Sequence, residues 1–172
     1  LQLHLRVDPG AFRDLYNAVQ LATGPVLAVS GNSPLFLGQR LWHETRVALF
    51  KQAVDPRGGE DRDGHVARVS FGSRWLRDGP LELFRENVAH HAPLLPILGE
   101  EDPLACVRSG GVPRLEELRL HQGTVWRWNR VIYDPVEGGH LRIEMRALPA
   151  GQTTADMVAN AAFLIGIALA IA

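Results

Sequence analysis

The chain has 172 residues, 46% of them hydrophobic, with a formal net charge of −1. That is enough apolar material for one domain with one core, and the near-neutral charge argues against nucleic acid or an anionic membrane as a partner. A single cysteine, Cys106, excludes an internal disulfide framework or a thiolate metal cluster. No charged segment followed by an apolar run opens the chain, so no secretory leader is read and a cytoplasmic setting is expected.

The first element is a strand. Leu1, Leu3, Leu5 and Val7 alternate with Gln2, His4 and Arg6, placing an apolar back against a polar front. Asp8-Pro9 is a helix start, followed by Phe12, Leu15, Val19 and Ala22 at helical spacing. Gly24-Pro25 is expected to stop that helix, and Val26 to Ser30 to form a short buried strand. Gly31-Asn32-Ser33-Pro34 reads as a turn. Glu44 to Ala53 reads as a helix, with Arg46 near its start and Val47, Leu49 and Phe50 inward. The polar stretch Asp55 to Gly64 is expected to be a mobile surface loop.

Val66 to Phe71 is expected to be a strand, and Asp78 with Pro80 to open a helix that Pro93 ends after His91. The His90-His91 pair is explained as imidazolium near a helix C-terminus, without a metal. Pro103 to Arg108 and Pro113 to Leu120 are short helical candidates. Thr124 to Tyr133 alternates Trp126, Trp128 and Arg130 against Val125, Arg127 and Asn129. After a Gly138-Gly139 turn comes the most informative strand. There Leu141, Ile143, Met145 and Ala147 form an apolar back, while Arg142, Glu144 and Arg146 stand in a row on the other face. Thr153-x-x-Asp156 resembles a capping box for a last helix, an apolar run expected to be buried in the core.

Single strands alternating with helices predict an α+β fold with a mostly antiparallel sheet, helices on its apolar side and an open polar face opposite. Phosphate-loop, dinucleotide-binding and hydrolase-elbow motifs are absent from the sequence. Taken residue by residue, His4 reads as a structural histidine or a metal ligand, and Glu144 as an ion-pair partner or a metal ligand. Their shared polar face favours the chemical reading, since imidazole and carboxylate together suit a hard divalent cation helped by phosphate oxygens.

Gln2-Leu3-His4-Leu5, Ser30-Gly31-Asn32-Ser33-Pro34, Glu44-Thr45-Arg46, Gly123-Thr124-Val125-Trp126-Arg127-Trp128-Asn129-Arg130 and Leu141-Arg142-Ile143-Glu144-Met145-Arg146 occur in this order. Together they resemble the bacterial glutamate–cysteine ligase family 2, carboxylate–amine ligases related to glutamine synthetase. The resemblance implies part of a glutamine synthetase-like catalytic domain over residues 1–172. It also implies an ATP-dependent reaction in which the γ-carboxylate of L-glutamate is phosphorylated and an amine such as L-cysteine attacks the acyl phosphate. Carried over position by position, His4 and Glu144 would hold Mg²⁺, and Arg146 would contact the transferred phosphate. Arg46 would meet a substrate carboxylate, Arg127 and Arg130 carboxylate or phosphate, and Asn32 would orient substrate or simply make the turn.

Both ends of the chain read as cut, and the family's upstream Glu-x-Glu strand has no counterpart here. The chain is therefore expected to be a C-terminal portion that binds MgATP weakly and lacks ligase activity alone, with an exposed sheet edge that invites a homo-oligomer. Two other readings stand beside this one. The first is a catalytically silent domain of the same fold that binds a ligand or partner. The second is a phosphotransferase acting on a small guanidine.

Overall fold

The computed structural model describes residues 1–55, 57 and 66–172. Most of the expected 55–64 loop lies outside the described residues; at its start, Asp55 and Arg57 form an ion pair of 2.7 Å. The architecture is α+β. The central sheet has three antiparallel strands in the order β1 (Leu3–Val7), β5 (His140–Met145), β4 (Asn129–Asp134). A small hairpin, β2 (Leu35–Phe36) with β3 (Gln39–Arg40), turns through Leu37 and Gly38, both at positive φ, as two-residue hairpins require.

The alternation read in the sequence sets the sheet's two faces. Val7 pairs with Leu141, Leu5 with Ile143 and Leu3 with Met145, while Ile143 also faces Val131 on β4. This apolar side meets α1 (Phe12–Ser30) through Phe12, Leu15, Tyr16 and Val19. Leu83 of α3 (Leu81–His90) and Leu164 of α6 (Thr154–Ile171) complete the core. Tyr16 ties helix to sheet by donating a 3.0 Å hydrogen bond to the Asn129 carbonyl.

α1 runs straight through Gly24-Pro25, so the expected helix stop and the strand over Val26 to Ser30 are both corrected. The apolar stripe stays in phase across the break, with Ala22, Val26 and Ser30 buried on the inner side. Leu21 and Pro25 lie on the exposed side, so the Leu21 carbonyl that loses its helical donor faces water.

α2 (Thr45–Ala53) forms as expected, but Leu49 is exposed while Val47 and Phe50 pack against the Val69, Trp128 and Ala147 cluster. Residues 66–71 form no regular strand. They run beside 126–128, where the Trp126 and Trp128 amides donate to the Arg68 and Ser70 carbonyls at 2.9 Å each. In α3 the backbone amides of Arg77, Asp78 and Gly79 are gathered by Glu82 Oε1, so the start is secured from within the helix rather than by Asp78.

The two short helices are α4 (Pro103–Arg108), capped by Asp102, and α5 (Glu116–Gly123). The Thr153–Asp156 capping box is present at the start of α6. α6 packs on α1 along one side only. Leu164 and Ala168 are its buried residues, whereas Val158, Phe163, Leu169 and Ile171 are exposed, which corrects the expected core helix. By length and composition α6 is apolar enough to cross a membrane, and 11% of it is buried.

Candidate functional site

Strand register assembles the most conspicuous polar feature. His4 on β1, Glu144 on β5 and Arg130 on β4 lie opposite one another across the sheet, on the face turned away from the core. Arg130 Nε donates to Glu144 Oε2 at 2.5 Å, while Glu144 Oε1 stands 3.7 Å from both His4 Nε2 and Arg146 Nε. Glu144 is only 3% exposed, so the middle of this face is closed by its own ion pairs rather than being the open surface expected. A carboxylate this buried needs such partners, because an uncompensated charge there would cost several kcal/mol.

Arg146 lies just past the end of β5. Its backbone amide donates to the Trp128 carbonyl at 2.9 Å, and its guanidinium sits 5.9 Å from the Phe50 ring centre. Burial depresses its pKa and the Arg130 charge adds to this, with Glu144 opposing both. Its Nε is buried and has no hydrogen-bond partner. Arg142 shares the face and pairs with Asp134 at 2.9 Å.

Asn32 and Arg46 form an adjoining cluster. The Asn32 amide side chain donates to the Ala150 carbonyl at 2.8 Å, and its backbone amide donates to Glu44 Oε1 at 3.0 Å. Arg46 Nη2 donates to the Ala147 carbonyl, and Arg46 Nε lies 2.9 Å from Glu44 Oε2. That pair is close enough for charge attraction but misaligned as a hydrogen bond. The Arg46 guanidinium stands 6.0 Å from the Trp128 ring centre. Residues 147–150 continue directly from Arg146, so this cluster borders the Glu144 row.

Arg127 is elsewhere. It faces α3, buried in an ion pair of 3.0 Å with Glu86 and a 2.7 Å hydrogen bond to Asn87 Oδ1. Burial alone would raise the Glu86 pKa; the Arg127 charge and hydrogen bonds from Arg127 and Ser73 outweigh it and hold the carboxyl low. His91 is buried near this network, with its pKa pushed down to about 4 by burial and by the Arg68 and Arg127 charges. His91 is therefore neutral at pH 7, a correction to the imidazolium expected there.

No family model, curated protein or solved structure matches this chain. The chemistry of the site therefore rests on its own residues. Magnesium takes near-octahedral oxygen coordination. Here His4 and Glu144 offer one imidazole and one carboxylate whose oxygens already face guanidiniums, and no group of three His, Cys, Asp or Glu side chains converges among the described residues. These residues do not make a magnesium site by themselves. What the row does hold is positive charge, fixed in place by a central carboxylate. That arrangement suits phosphate or carboxylate anions.

Arg142 stands on the expected face but pairs with Asp134 rather than with Glu144, and sequence reading missed the ion-pair roles of Glu44 and Glu86. Glu44 carried a signal, two positions before Arg46. Glu86 carried none, because it meets Arg127 only through the packing of α3.

Proposed function

We propose that this chain is part of an ATP-dependent carboxylate–amine ligase of the glutamate–cysteine ligase kind, acting in the cytoplasm on small molecules. The observation that carries the reading is Glu144 held between Arg130 and Arg146, with His4 beside it, on the sheet face opposite the core. The order of the motifs quoted for the family supports the same reading. In this reaction a γ-carboxylate oxygen of L-glutamate attacks the terminal phosphorus of ATP, and ADP leaves. The amine nitrogen, from L-cysteine or another acceptor, then attacks the acyl carbon, and phosphate leaves with the carboxylate oxygen.

Catalysis of this type is mainly positioning and neutralisation of the phosphoryl group. Arg146 would neutralise that group, Glu144 would fix both guanidiniums, and Arg46 with Asn32 would take the substrate carboxylate on the adjoining edge. Hydroxylamine tests the intermediate. The complete polypeptide carrying this sequence, given MgATP, L-glutamate and hydroxylamine, should form γ-glutamyl hydroxamate. Absence of hydroxamate together with absence of ADP formation would contradict the ligase.

A second reading, a silent binding domain of the same fold, is favoured by one observation. Both Glu144 oxygens face guanidiniums, which suits a structural ion-pair network as well as a reaction site.

A further inference from the structure

A slot of ≈ 480 Å³ opens between α1 and the segment 71–75. One wall is Gln20, Gly24 and Leu27 of α1, and the other carries Phe71 and Trp75. The size falls within the roughly 300–1,000 Å³ of small-molecule pockets. The second wall is fixed in place. Asn17 brackets the Leu76 backbone, its Nδ2 donating to the carbonyl and its Oδ1 accepting from the amide, at 3.0 Å each. Gln20 Nε2 donates to the Phe71 carbonyl at 2.7 Å, and the Ser73 amide donates to Glu86 Oε1 at 3.0 Å. Segment 71–76 is thus tied to α1 at both ends and to α3 in its middle, yet Phe71 is 42% and Trp75 55% exposed. Aromatic surface held rigidly in water beside a cleft is the mark of a binding groove.

The polar groups of the slot are already committed. Gln20 Oε1 accepts from Asn129 Nδ2 at 2.5 Å, and Thr23 Oγ1 donates to the Val19 carbonyl at 2.8 Å. Arg74 at the rim faces Glu82 at 4.0 Å. What remains on offer is apolar and aromatic surface. Gly24 keeps the helical wall flat, since a methyl group built there meets nothing within 4 Å. A flat helix face opposite two aromatic side chains admits a planar ring and leaves a bulky one with few contacts. We infer that this slot binds a small molecule through a planar aromatic ring packed against Phe71 and Trp75. The inference does not need the ligase reading, because none of these residues belongs to the Glu144 row. A nucleobase and an indole share this chemistry.

Calorimetric titration of the protein with adenosine, indole and the non-planar cyclohexanol tests it without turnover. Saturable binding of adenosine or indole is expected, with none for cyclohexanol at the same concentrations. Tighter adenosine makes the source a nucleobase and tighter indole an indole-like ring; both support the slot. Gly24→Leu, which fills the slot from the α1 side, and Trp75→Ala, which removes one aromatic surface, should each weaken binding about tenfold or more. Should either variant fail to fold, nuclear Overhauser contacts between the ligand ring and Trp75 in the unaltered protein replace it. The slot is overturned by absence of saturable binding of both aromatic probes, by equal binding of cyclohexanol, by undiminished binding in either folded variant, or by absence of those contacts. Failure of hydroxamate formation would leave this result untouched.

Discussion

Arg127 and Glu86 show what a buried charge demands of its surroundings. Both are almost fully buried, and the pair is braced by Asn87 Oδ1 on one side and the Ser73 amide on the other. Removing one partner strands the other, so Arg127→Met should destabilise the fold by about 3–5 kcal/mol in urea unfolding. A loss below about 1 kcal/mol would place the pair among weak surface bridges. His91 makes the neighbouring region sensitive to acid. Its pKa is about 4 in the folded protein against 6.5 for an ordinary histidine. Between those values the unfolded chain takes up a proton that the folded one refuses. Stability is therefore full above pH 6.5, falls as pH drops toward 4, and levels off for this group below that. By linkage the loss approaches about 3 kcal/mol. Thermal midpoints measured across that range should fall less steeply in His91→Gln than in the unaltered protein.

At the scale of elements, β1 and β5 were legible because their alternation survives in the structure, whereas the alternation expected from Thr124 is paired into the sheet only from Asn129 onward. Leu3, Leu5 and Val7 do pack with Met145, Ile143 and Leu141, and the His4, Glu144 and Arg130 row follows from register. α1 was misread because Gly-Pro is a strong local stop signal, while the force that overrides it is tertiary. Val26 is 1% exposed, and Pro25 happens to fall on the outer side. Residues 66–71 carry strand-like composition, yet they meet 126–128 through only two backbone hydrogen bonds from the Trp126 and Trp128 amides. The Arg127–Glu86 pairing was invisible for a different reason, since no local pattern links residues so far apart in sequence. The continuous helix makes its own prediction. A methyl group added at Gly24 meets nothing within 4 Å, so Gly24→Ala should stabilise the protein by about 1 kcal/mol, the difference in helix propensity. A destabilising Gly24→Ala would mean the helix is interrupted there.

The whole molecule is a thin sheet with its apolar side covered and its outer surfaces unevenly finished. α6 turns Val158, Phe163, Leu169 and Ile171 outward, and Leu21 and Val29 of α1 are exposed as well. The sheet itself ends at β1 and β4 with no further strand paired to either among the described residues. Apolar surface and open edges both promote association. Sedimentation velocity should show mass rising with concentration, and a monomer at every concentration would contradict this. On the opposite face Arg130 and Arg146 stand around Glu144, the arrangement on which the proposed ligase reading rests. The most direct test is phosphate release from MgATP by the complete polypeptide, with L-glutamate present, L-cysteine added or withheld, and Glu144→Gln as the comparison. Release should need both amino acids and should be lost in Glu144→Gln while the fold is kept. Turnover undiminished in Glu144→Gln, or no release from the folded unaltered protein, would contradict that reading.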